Sequence, residues 1–153
     1  MADDQAFLQR AVDLARGNVE RGGRPFGALL VKDGEVLAEA VNEIHRSGDP
    51  TAHAELLAMR AASRALGPRL DGCVIYASGQ PCPMCLAAMH LSGVSRAVFA
   101  IANEEGEPFG LSTAGVYQQM ALPLAQQRLA VLHLPQAGAT ALYRRWKDLH
   151  APD

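Results

Sequence analysis

The stretch FGALLVKDGEVLAEAVN, residues 26–42, decides how the fold is read. Asp33-Gly34 stands between two apolar runs, and Asp-Gly supplies the left-handed backbone that a two-residue hairpin turn needs. Two antiparallel strands are expected on either side of it. Upstream, DQAFLQRAVDLARGNVER (4–21) sets Phe7, Leu8, Ala11, Val12, Leu14, Ala15 and Val19 near helical spacing behind acidic Asp3 and Asp4. That is an amphipathic helix, ended by Gly22-Gly23.

Downstream, a polar loop over 43–52 leads into a helix from about His53 to Leu66, closed by Gly67-Pro68. CVIYAS (73–78) reads as a short apolar strand. GQPCPMCLAAMHLSG (79–93) is a turn entering a helix, with Pro83 suited to the first turn. RAVFAIA (96–102) reads as another buried strand, and NEEGEPFG (103–110) as a loop before a helix near 113–121. RLAVLHL (128–134) is expected to be a fifth strand and ATALYRRWKDLH (139–150) a final helix. Strands alternating with helices imply an α/β fold with a mainly parallel sheet covered on both faces, the first hairpin being antiparallel.

A chain of 153 residues suits one domain, 1–153, with one sizeable core. It is 49% hydrophobic and 20% charged, ordinary for a globular protein. The net charge of −2 provides no global field toward nucleic acid or acidic membranes. The acidic opening MADDQAF is unlike a leader, and no apolar run has the length of a membrane span. A cytoplasmic protein is expected. Its 3 cysteines then point to metal or catalysis rather than to disulfides.

Two stretches carry the chemistry. PTAHAELLAMR (50–60) holds His53 and Glu55, and GQPCPMC (79–85) holds Cys82 and Cys85. Each is a loop or strand end opening a helix, where unpaired N–H groups and a partial positive charge favour thiolates. Two thiolates and one imidazole make a three-ligand set, and catalytic zinc keeps its fourth position open. Two residues along a regular helix from His53, Glu55 points elsewhere, and only a looser first turn brings both together. So placed, it can move protons. Competing readings are a redox Cys-x-x-Cys module and a structural zinc site that adds Cys73, although Cys73 opens an apolar strand and suits a buried inert thiol. Taken together, His53-Ala54-Glu55 and Pro81-Cys82-Pro83-Met84-Cys85 form the H-x-E…P-C-x-x-C signature of zinc nucleobase deaminases.

On these motifs the sequence resembles the cytidine deaminase-like superfamily over essentially its whole length, and within it the bacterial guanine deaminases and tRNA adenosine deaminases. DPTAHAE (49–55) and PCPMC (81–85) are typical of that branch, and PFGALLVKDGEVLAEAVN (25–42) is more like the guanine deaminases. The resemblance implies a three-layer αβα sandwich around a five-stranded mixed sheet, one zinc per chain, and a homodimer, in some members domain-swapped. It makes His53, Cys82 and Cys85 the zinc ligands and Glu55 the proton shuttle for hydrolytic deamination by zinc-activated water. Asn42 and Phe26 match residues that hold and line the substrate ring. The Ala54 N–H and the carbonyl of Pro81 or Gln80 would bind ring and amino group.

The same resemblance sets the substrate question. Ser112 or Thr113 in GLSTAG (110–115) stands where guanine deaminases carry an acidic residue. His90, in CLAAMHLSG, stands near their aromatic and is a candidate pocket residue. The chain end, KDLHAPD (147–153), does not match their pocket-closing segment. A small free base or nucleoside is favoured over a polynucleotide, because the YRRWK tail is short and the chain is net negative. The order of expectation is a guanine-like purine, then cytosine or another aminated heterocycle such as a triazine, then tRNA adenosine.

Overall fold

Asp33 (φ 51°) and Gly34 (φ 77°) both adopt the left-handed conformation, turning β1 (Gly27–Lys32) into β2 (Glu35–Val41). The structure is a computed structural model that describes residues 2–150. It divides into two compact units, up to Gln118 and from Gln119 onward.

In the first unit, α1 (Ala2–Glu20) lies on one face of the sheet, and α3 (Ala54–Leu66) lies on the other. Alternation along β1 assigns its side chains. Leu29 and Val31 pack with Ala11 and Tyr76 on the α1 side, whereas Ala28 and Leu30 join Ala58, Met59 and Ile75 on the α3 side. Gly27 allows α1 to approach: an added Cβ would meet the Ala11 carbonyl oxygen at 2.6 Å. The short α2 (Ile44–Ser47) stands in the segment expected as loop.

From α3 the chain enters β3 (Cys73–Gly79), then α4 (Pro83–Ser92) and β4 (Arg96–Ile101). The order is β2-β1-β3-β4, with β3 antiparallel to β1 and parallel to β4. The sheet is mixed, but only one pairing is parallel, in place of the mainly parallel sheet expected. The crossover through α3 passes over β1 and seats β3 on its far side, so β1 runs against both neighbours. β4 occupies an edge and is exposed rather than buried, with Phe99 at 41% and Ile101 at 45%. NEEGEPFG folds as α5 (Asn103–Gly106) and a 3-10 turn, Glu107–Phe109, and α6 (Ala114–Met120) follows.

The second unit holds a 3-10 turn at Leu124–Gln126 and α7 (Thr140–Leu149). The fifth strand expected over 128–134 is absent: four strands form among the described residues, and Leu129, Leu132 and Leu134 are exposed. Apolar alternation marks a segment that suits a strand, but a strand needs a ladder partner for its N–H and C=O groups. Residues 151–153 of the chain end lie outside the described residues.

Asp4 ties α1 to the sheet edge. It accepts hydrogen bonds from Arg96 at 2.8 and 3.0 Å and from the Tyr76 hydroxyl at 2.5 Å. The Arg96 guanidinium, and then the Tyr76 hydroxyl, hold its carboxyl well below the usual carboxylate range. A depressed folded pKa adds stability above the unfolded value of about 4, and that stability is lost as pH falls through the folded value. Asp4→Asn is expected to lower the melting temperature at neutral pH and to flatten its decline below about pH 4. Parallel melting curves for the two proteins across that range would contradict this anchor.

Candidate metal centre and active site

His53 and Cys82 occupy equivalent places: each is the N-cap of its helix, α3 and α4, in extended conformation. Neither side chain caps its helix. An N-cap side chain ordinarily turns back onto the first-turn N–H groups; these two leave that role and turn toward each other. Pro83 at the first position of α4 has no N–H to satisfy and presets the helical φ. One turn on, Cys85 is fully buried against the same point.

The three ligand atoms all lie within 4.8 Å of one another. His53 Nδ1 is 3.5 Å from Cys82 Sγ and 3.6 Å from Cys85 Sγ. A tetrahedral zinc with Zn–S of about 2.3 Å and Zn–N of about 2.0–2.1 Å separates nitrogen from sulfur by about 3.5–3.6 Å. The donor set and its spacing therefore fit one zinc ion held by His53, Cys82 and Cys85.

The electrostatics are those of a shared charge. The hydrogen bond from Cys85, aided by His53, draws the Cys82 thiol down to about 4. The same bond, with burial, pushes Cys85 up. His53 is raised, first through its hydrogen bond with Cys82. Glu55 is 7% exposed, and burial pushes its carboxyl up to about 6. Because His53 is the extended N-cap and Glu55 the second helical residue, the pair is not two steps along a regular helix. Both side chains line one cavity of about 200 Å³.

Phe26, Asn42, Ser112 and Thr113 line that cavity, together with Gln80 and Cys82. Asn42 is 2% exposed, and its Oδ1 accepts the Ile44 N–H at 3.0 Å. Ser112 Oγ accepts the Ala114 N–H at 3.1 Å, and the Thr113 N–H donates to Asn103 Oδ1 at 3.2 Å. The other three predicted residues stand apart from the lining. Ala54 is buried at the first position of α3, where its N–H belongs to the unpaired first-turn set. The Pro81 carbonyl already accepts the Tyr117 hydroxyl. His90, in the last turn of α4, is exposed and lines a separate depression beside Met89 and Arg96.

Sequence reasoning missed Arg24 and Tyr117. Arg24 lines the cavity and opposes protonation of His53. A lone charge inside GGRPFG, two residues before Phe26, was its only signal. Tyr117 reaches Pro81 from α6, a long-range contact that no local pattern announces.

Residues 1–101 match the model of the cytidine and deoxycytidylate deaminase zinc-binding region. The chain is 35% identical over 146 residues to the guanine deaminase of Bacillus subtilis, covering 94% of each. It is 39% identical over 100 residues to the tRNA-specific adenosine deaminase of Aquifex aeolicus, covering 65% of this chain and 66% of that one. A crystal structure of the Bacillus subtilis guanine deaminase superposes with a TM-score of 0.90 at 34% identity, over 97% of this chain and 96% of that one. Among the described residues no helix is long and apolar enough to cross a membrane. The chain belongs to the cytidine and deoxycytidylate deaminase zinc-binding family and is a zinc-dependent hydrolase of carbon–nitrogen bonds.

Proposed function

We propose that this protein, acting as one functional domain in the cytoplasm, hydrolytically deaminates a free nucleobase or nucleoside, with a guanine-like purine as the favoured substrate. The observation that carries this reading is the buried Glu55 carboxyl sharing a cavity of about 200 Å³ with His53 and Cys82. That volume lies below the roughly 300–1,000 Å³ of sites for drug-sized ligands and suits a single small heterocycle. Likeness over nearly the whole length to a guanine deaminase supports the purine.

When bound, the zinc ion supplies a Lewis acid that acidifies water toward neutrality at its open position. Glu55, away from bulk solvent, takes one proton from the attacking water and delivers it to a ring nitrogen as the carbon–oxygen bond forms. It then takes the proton left on that oxygen and delivers it to the amine, so that the carbon–nitrogen bond breaks and ammonia leaves. Phe26 offers an apolar face to the ring, and Asn42 presents its Nδ2 group to it. The first-turn N–H of Ala54, between the lining residues His53 and Glu55, donates to a substrate seated against them. Ser112 and Thr113 form the wall nearest α6. Pro81 and His90 are left out of the substrate contacts.

A second reading, deamination of adenosine in tRNA, is favoured by the identity to the Aquifex aeolicus protein. The protein is taken as a homodimer, supported by the exposed apolar side chains of the edge strand β4. The test is ammonia release by the zinc-loaded protein, its mass in solution also measured, from guanine, guanosine, cytosine, cytidine, ammeline and an adenosine-containing tRNA stem-loop. The expected outcome is a dimer with highest kcat/KM on guanine. Activity confined to the stem-loop would establish the second reading, and a monomeric mass would remove the dimer.

A further inference from the structure

We infer that Arg24 is a specificity-determining residue: it selects aminated rings that present an oxo group and a ring nitrogen, both acceptors, toward the wall it shares with Asn42. This rests on the proposed deamination of a free base. It concerns which edge of the ring is recognised.

Arg24 makes no ion pair or side-chain hydrogen bond among the described residues, although it lines the cavity. Its backbone, in contrast, is tightly held. Asn18, 2% exposed on α1, donates from Nδ2 to the Arg24 carbonyl at 2.8 Å and to the Asn42 carbonyl at 2.9 Å. The Phe26 N–H also donates to the Arg24 carbonyl at 2.8 Å, and the Gly23 N–H to the Asn18 carbonyl at 2.8 Å. Gly23 has no room for a side chain, since an added Cβ would meet Asn18 Nδ2 at 2.5 Å and His45 at 2.6 Å. One buried amide thus fixes Arg24 and Asn42 side by side on a single wall.

Two neighbours on that wall, Asn42 and Ser112, keep a donor for a ligand, whereas Gln80 is held by Asn103 and Tyr117. Asn42 has its Oδ1 engaged by Ile44, so Nδ2 is the group left for a ligand. Gln80 has its Oε1 engaged by the Asn103 N–H at 2.9 Å. Ser112 Oγ is engaged as an acceptor and keeps its proton to donate. Among the lining residues the one carboxylate is Glu55. A ring presenting N–H or amino groups to the Arg24 wall finds no strong acceptor there. A ring presenting an oxo oxygen beside a ring nitrogen meets the guanidinium fork, the pairing arginine makes with the O6/N7 edge of guanine.

The experiment compares guanine with 2-aminopurine, which has the same reacting amine and lacks the 6-oxo group. Wild-type kcat/KM is expected to favour guanine by roughly 5- to 150-fold, the range of one good bidentate contact. Arg24→Gln is expected to bring that ratio to within about threefold of one, chiefly through KM, with Arg24→Lys intermediate because a lysine is a point charge without the fork. Zinc content and melting temperature of each variant are measured alongside. A ratio unchanged in Arg24→Gln overturns the inference. If the wild type turns over neither base, calorimetric binding of both to the zinc-loaded protein decides. An Arg24-dependent preference for guanine keeps the inference while the deaminase reading fails. Equal or absent binding overturns it.

Discussion

Glu55→Gln is expected to retain one zinc per chain and to lose ammonia release by about 10²–10⁴-fold, the usual worth of a positioned acid–base group. Glutamine keeps the size and the hydrogen-bonding outline but cannot carry the proton. The loss is therefore expected in kcat, with little change in KM, since the proposed proton carrier works at the reacting centre and not in ring binding. The buried position, 7% exposed, leaves no second carboxylate in the cavity lining to take over. Full activity in this variant would remove Glu55 from the chemistry.

Cys85→Ala is expected to have the broader effect. Cys85 is fully buried in the core that includes Ala58, Ile75 and Met89, and it is one of three metal ligands. Removing it leaves a two-ligand set, so metal analysis of the purified variant should find well below one zinc per chain and activity should vanish. Because ligand binding is linked to folding, the melting temperature should fall as well, and added zinc should restore little of it. In the wild type, a strong chelator should abolish activity, and zinc should restore it. A Cys85→Ala protein with stoichiometric zinc and normal turnover would contradict the assignment.

The site was legible because its two halves carry their own local signals. A loop residue before a helix, followed by an acid, and a Pro-Cys-Pro at another helix start both describe helix N-termini. What stayed hidden was the backbone state of His53. Read as helical, His53 and Glu55 diverge; with ψ of 148° at His53 they converge. The hairpin at Asp33-Gly34 was equally local. The strand order was not: the seating of β3 beside β1 depends on where the α3 crossover lands, and no window of sequence contains that information. The segment 128–134 shows the opposite failure, since its apolar pattern is strand-like while its ladder is missing. Arg24 escaped for a third reason. Its placement follows from Asn18 bonding both its carbonyl and that of Asn42, two residues far apart in the chain.

In the proposed reaction the His53–Cys82–Cys85 zinc centre and Glu55 together remove the exocyclic amine of a guanine-like base by hydrolysis. The most direct measurement supplies guanine to the zinc-loaded protein and follows ammonia and the oxo product together. One ammonia per base converted is predicted, absent in the chelated protein and nearly absent in Glu55→Gln. A protein that holds one zinc per chain yet converts no guanine, or a conversion that continues without zinc, would contradict zinc-dependent guanine deamination.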